Sequence, residues 1–182
     1  MLTDAERQAA ADAILTAERT RVPCVQPSRQ WPAMELDDAY DVQRRWAEAR
    51  IAKGARIVGR KIGLTSRAMQ MASKMTEPDY GVILDDQLYR DGARIPAGTF
   101  IKPRLETELA FVMGQDLQGT GCQMHDVMRA VEFVSPALEI IDYRTEVPRA
   151  IVDTIADNAA YGAIVLGGRM VRPFDPAFMI SP

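Results

Sequence analysis

Apolar and polar positions in the first fifty residues recur at helical spacing. Thr3-x-x-Glu6 is a capping-box pattern in which the two side chains satisfy each other's orphan backbone donors. Ala9, Ala10, Ala13, Ile14 and Ala17 then follow at the i, i+3, i+4 period, which predicts a helix to about Arg19. Pro23, Pro27 and Pro32 make the next stretch a loop. A second helix is predicted from Asp37 and Asp38, whose charges suit the positive end of the dipole, to Lys53 before Gly54, with Ala39, Val42, Trp46 and Ala49 as its apolar stripe.

After Gly54 the period changes from helical to alternating. Residues 56–64 are short, β-branched and punctuated by glycine, which predicts a strand running into a turn. Thr65 or Ser66 then caps a short helix through Met75, with Met69, Ala72 and Met75 expected in the core. Glu77-Pro78-Asp79-Tyr80-Gly81 reads as a loop and Asp91-Gly92 as a hairpin turn between short strands. Residues 104–112 alternate strictly: Glu106 and Glu108 share one face of a strand, Leu105, Thr107 and Leu109 the other. Residues 124–134 read as a helix with Val127, Ala130, Val131 and Val134 inward, and 135–142 as an apolar run with Glu139 in its middle. Residues 148–160 are a helix or ordered loop, and 163–166 a strand. The chain stops at Met179-Ile180-Ser181-Pro182 without a closing element, which predicts a truncation.

Composition narrows what these elements serve. An apolar fraction of 47% and a charged fraction of 26% are those of a globular protein, and 182 residues suit one domain, divided here into a helical section, 1–54, and a β-rich section, 55–182. The net charge of -3, with Lys and Arg scattered, excludes nucleic acid as the main partner. No basic leader or bilayer-length apolar run occurs, so a cytoplasmic protein that avoids membranes is expected. One histidine, His125, and two separated cysteines, Cys24 and Cys122, support neither a histidine-rich nor a thiolate metal site.

Candidate chemistry therefore falls to carboxylates. Glu106, Glu108 and Glu139 form an oxygen-only donor set of the kind Mg2+ or Mn2+ prefers. Two alternatives stand beside that reading: the strand acids line a solvated face, and Glu139 pairs with Arg144 or Arg104. Lys61, between glycines at a strand-to-turn junction, either projects into a cleft or is a surface lysine beside Arg60; Asp79 is either an acid-base group or turn chemistry.

Five motifs in order carry a resemblance: 59–66 (Gly-Arg-Lys-Ile-Gly-Leu-Thr-Ser), 77–81 (Glu-Pro-Asp-Tyr-Gly), 106–111 (Glu-Thr-Glu-Leu-Ala-Phe), 136–142 (Pro-Ala-Leu-Glu-Ile-Ile-Asp) and 153–160 (Asp-Thr-Ile-Ala-Asp-Asn-Ala-Ala). Together they resemble the hydratase/decarboxylase branch of the fumarylacetoacetate hydrolase superfamily. The resemblance implies an α/β fold of α+β type, a helical N-terminal section packed on a mixed β-roll that is incomplete at the C-terminus. It also implies a Mg2+ or Mn2+ ion held by Glu106, Glu108 and Glu139, Lys61 and Asp79 as catalytic groups, and Lys61, Leu64 and Thr65 in contact with a small 2-oxo acid. The implied activity is hydration of 2-oxo-hept-4-ene-1,7-dioate in aromatic meta-cleavage catabolism, by a homo-oligomer. The alternatives are decarboxylation of 4-oxalocrotonate, hydration of 2-hydroxypenta-2,4-dienoate, and a non-catalytic, partner-dependent subunit.

Overall fold

The computed structural model describes residues 1–173; the ending at Met179–Pro182 lies outside them. The predicted capping box forms: Glu6 N donates to Thr3 Oγ1 at 3.3 Å and Thr3 N donates to Glu6 Oε2 at 2.8 Å. Helix α1 (Asp4–Thr20) follows and ends at Arg21, whose left-handed φ of 62° lets its N–H reach Ala17 O at 2.9 Å. The proline-rich stretch contains one short helix where a loop was expected, α2 (Pro27–Gln30), because Pro27 at the first helical position lacks only a donor that would be unpaired there. Helix α3 (Leu36–Ile51) is tied to the N-terminus by Asp38, which accepts from Leu2 N at 3.0 Å and pairs with Arg7 at 2.8 Å.

Strand β1 (Ile57–Gly63) pairs antiparallel with β2 (Asp79–Leu84), and α4 (Arg67–Ala72) lies between them in sequence. Residues 79–81, expected as loop, are thus the start of a strand, since their backbone groups find partners on β1. Ser66 caps α4, accepting from Met69 N at 3.3 Å, but Met69 and Ala72 are exposed and only Met75 reaches the core. The turn at Asp91-Gly92 exists, with Gly92 at φ 77°. It does not close a hairpin, because β3 (Leu88–Arg90) pairs in parallel with β6 (Tyr161–Leu166).

The main sheet is mixed, in the order β3-β6-β5-β4, with β4 (Arg104–Met113) antiparallel to β5 (Val131–Ile141) and β5 antiparallel to β6. Helix α5 (Met124–Ala130) stops four residues sooner than its periodicity predicts, because Val131, Phe133 and Val134 are claimed by the ladder with Met113, Val112 and Phe111. Helix α6 (Ile151–Ala156) and a left-handed turn at residues 158–160 complete the described chain before β6.

One core lies between the helices and β2. Ala10, Ile14, Val42, Trp46, Leu84 and Ile155 are fully buried there. Trp46 donates Nε1–H to Glu18 Oε2 at 2.9 Å, and the buried Arg144 guanidinium sits 4.8 Å from its ring centroid. The smaller cluster of Ala137, Tyr161 and Ile164 underlies the acid face of the main sheet.

Candidate metal centre

Register, not sequence spacing alone, assembles the acids. Glu106 stands directly opposite Glu139 across the β4–β5 ladder, and Glu108 stands opposite Ala137 one pleat further on. Directly opposed residues of an antiparallel pair project from the same face with Cβ atoms roughly 5 Å apart, a destabilising arrangement for like charges. One oxygen from each of Glu106, Glu108 and Glu139 lies within 4.8 Å of the others. Glu106 and Glu108 are exposed, as the solvated-face alternative for the strand acids expects, and Glu139 is buried.

Glu139 does not pair with Arg144 or Arg104. Arg144 pairs with the buried Asp157 at 2.5 Å, and Arg104 lies over the Tyr143 ring. The group beside Glu139 is Lys61, whose Nζ is 3.1 Å from Glu139 Oε1 and donates its hydrogen bond to Ala159 O at 3.0 Å. The lysine side chain is 13% exposed and is no surface cation. Burial pushes the Glu139 carboxyl up from its ordinary pKa, Lys61 opposes that, and the neighbouring Glu106 and Glu108 charges add to it.

These residues fit a hard divalent cation. All donors are carboxylate oxygens, one from each of the three converging glutamates, and the one cation beside them, Lys61, contacts Glu139 alone.

Asp79 is also buried, at 4% exposure, with its carboxyl against the backbone of Gly63. It sits at the end of β2 opposite Gly63, where a Cβ would stand 2.1 Å from Asp79 Oδ1, so only glycine leaves room for the carboxyl. Burial raises its pKa, with Lys61 and Arg149 opposing. Leu64, at φ 54°, turns its side chain onto the helical core, while Thr65 is exposed. Among the described residues no helix is long and apolar enough to cross a membrane.

Sequence reasoning did not single out Ala159 or Asn158. Ala159 contributes a backbone carbonyl, which no side-chain pattern advertises; Asn158 was legible only as part of the 153–160 motif.

Known proteins share this arrangement of sequence. The 2-oxo-hept-4-ene-1,7-dioate hydratase of Escherichia coli is 47% identical over 164 residues, 86% of this chain and 61% of that protein. A 2-keto-4-pentenoate hydratase of Paraburkholderia xenovorans is 38% identical over 94% of this chain and 64% of its own length. The fold matches 4-oxalocrotonate decarboxylase from Pseudomonas putida G7, solved with magnesium and adipate, with a TM-score of 0.90 and 34% identity over 94% of this chain and 66% of that one. The chain belongs to the hydratase/decarboxylase branch of the fumarylacetoacetate hydrolase superfamily. No family model matches it, so membership rests on these relatives and on the fold. As a member of the superfamily the chain spans just under two thirds of the length of these relatives. The same decarboxylase has also been solved with calcium and acetate, at a TM-score of 0.88.

Proposed function

We propose that this chain belongs to a metal-dependent hydro-lyase that adds water to a 2-oxo-alkenoate, converting 2-oxo-hept-4-ene-1,7-dioate to 4-hydroxy-2-oxoheptanedioate in aromatic meta-cleavage catabolism. The observation that carries the reading is the convergence of Glu106, Glu108 and the buried Glu139 beside Lys61. The identity to the Escherichia coli hydratase supports the substrate. A cytoplasmic homo-oligomer acting on small molecules belongs to the same proposal.

In this reading the three glutamates would hold Mg2+ or Mn2+, which when bound would supply Lewis acidity toward a 2-oxo acid. Lys61, fixed by the Ala159 carbonyl, orients the substrate carboxylate and offsets negative charge that develops on the 2-oxygen. Asp79, kept protonated further up the pH scale by burial, carries protons. Loss of a C3 proton from the 2-oxo-4-ene, with protonation of the 2-oxygen, gives the 2-hydroxydiene; a proton delivered at C5 as the 2-hydroxyl proton leaves then gives the 2-oxo-3-ene, whose C4 is conjugate to the carbonyl. Water oxygen then bonds to C4, and a proton goes to C3. Thr65 offers a hydroxyl to the substrate, and Leu64, with its side chain turned to the helical core, only its backbone.

A second reading, decarboxylation of 4-oxalocrotonate, is favoured by the TM-score of 0.90 to that decarboxylase. The test supplies Mg2+ or Mn2+ and follows the ultraviolet absorbance of the conjugated dienol acid with carbon dioxide assayed in parallel. Loss of the diene without carbon dioxide is the result expected. Carbon dioxide release replaces hydration by decarboxylation, and no change in either signal leaves a non-catalytic subunit.

A further inference from the structure

The 153–160 motif contains a feature that the proposed chemistry has not used. Asn158, Ala159 and Ala160 lie consecutively in the left-handed region, at φ 53°, 51° and 62°, a conformation costly for residues with a Cβ and kept only where the surroundings enforce it. Asn158 supplies the enforcement. Its fully buried side chain accepts from Val82 N at 2.8 Å and donates to Val82 O at 2.9 Å, holding β2 as a neighbouring strand would. Gly81, the preceding residue, stands directly opposite Lys61 in the β1–β2 register. A Cβ there would lie 2.7 Å from Asn158 O, 3.0 Å from Asn158 Oδ1 and 3.1 Å from Lys61 Cγ. The lysine stem, the glycine and the strained turn therefore pack as one unit, and the turn's product is the Ala159 carbonyl 3.0 Å from the ammonium.

We propose that Asn158 and Gly81 are positioning residues for Lys61: together they fix the left-handed turn whose Ala159 carbonyl holds the ammonium against Glu139. Without them the ammonium loses the carbonyl that holds it in place. The functional consequence rests on the hydratase reading; the geometric one does not.

The experiment is side-chain 15N NMR of the full chain, with the Lys61 ammonium assigned by its loss in Lys61→Met. Lys53, Lys74 and Lys102 are exposed and supply the reference for a free ammonium. The parent is expected to show one slowly exchanging ammonium apart from those three. Gly81→Ala and Asn158→Ala are each expected to move it into the exposed group. Gly59→Ala, where a Cβ meets only the Ile83 side chain at 3.5 Å or more, is expected to leave it in place, as is Ala159→Gly, which keeps the carbonyl and eases the backbone. Thermal unfolding identifies any variant that fails to fold. Should Asn158→Ala or Gly81→Ala be lost in that way, the proposal stands or falls on whichever of the two folds; if neither folds, it falls to a parental Lys61 signal that is already exposed-like. A folded Gly81→Ala with the parental resonance overturns it.

Turnover separates this result from the hydratase reading. With an active parent, Gly81→Ala should lower kcat about tenfold or more while Mg2+ affinity stays within about twofold. A parent that binds no Mg2+ or turns nothing over defeats the hydratase reading, while the resonance still decides the positioning role.

Discussion

The helical half and the β4 edge use apolar residues in opposite ways. Between α1, α3, α6 and β2 apolar side chains close on one another, leaving Ile14, Val42, Trp46 and Ile155 fully buried, with Ala9 of the expected α1 stripe left exposed. On β4 the strict alternation is real, but over residues 104–109 neither face is covered among the described residues. Leu105 is 66% exposed, Leu109 57% and Phe111 58%, on the side expected to pack inward, while Glu106 and Glu108 are exposed on the other. Alternation specifies which residues share a face; only packing against another element decides which face is dry. The helical half is thus a dry core, and the sheet edge presents Glu106 and Glu108 to solvent.

The most forceful way to break that contrast is a pair of truncations. Trp46→Ala removes a fully buried indole with its hydrogen bond to Glu18 and should cost about 3–5 kcal/mol in guanidinium unfolding. Phe111→Ala removes a ring of comparable apolar character from an exposed position and should cost less than about 0.5 kcal/mol. A Phe111→Ala loss as large as that of Trp46→Ala would mean that the outer face of β4 is covered in solution, and the contrast would collapse.

The same contrast explains what could be read ahead of the structure. The capping box of α1 and most of the stripes of α1 and α3 are local and were legible, as was the placing of Glu106 and Glu108 on one face; the cap of α3 at Glu35 was not. The place of Glu139 opposite Glu106 depends on the register of two strands joined through α5, and no local pattern encodes it. Val127, Ala130, Val131 and Val134 fit a helical period, yet the last two serve β5, because pairing with β4 outweighs periodicity in a β-branched run. Met69 and Ala72 were misplaced for a related reason: α4 is too short to bring a whole stripe onto the core. Five ordered motifs and the resemblance they carry single out the acids and Lys61, and the structure brings these side chains into one cluster.

Removing one acid from each half gives a smaller, sharper effect. Glu108→Gln should weaken Mg2+ binding at least about tenfold by titration calorimetry, about 1.4 kcal/mol, because a neutral amide replaces one of three converging carboxylates. Glu48→Gln on α3 removes an exposed partner of Arg44 at 2.6 Å and should leave Mg2+ affinity unchanged, with stability altered by less than about 0.5 kcal/mol. Parental Mg2+ affinity in Glu108→Gln would sink the three-glutamate site.

Asp79 stands at the border of the two regions, on the strand whose Val82 and Leu84 enter the helical core, with Lys61 on the strand opposite. Its effect is the smallest and the most informative about which region governs it. Because burial raises its folded pKa above the unfolded value, the folded state binds the proton more tightly. The group's contribution to stability is therefore fully present below the ordinary aspartate pKa and is lost as pH rises through the folded value. Asp79→Asn keeps the shape and removes the titration. The variant should match the parent in acid and exceed it at neutral pH by on the order of 1 kcal/mol, a rise in Tm of about 2–4 °C. Thermal unfolding of both proteins from pH 4 to 8 checks it. A Tm difference that does not change with pH would mean that Lys61 compensates the ionised carboxylate in full, placing Asp79 with the charged sheet edge rather than with the dry helical core.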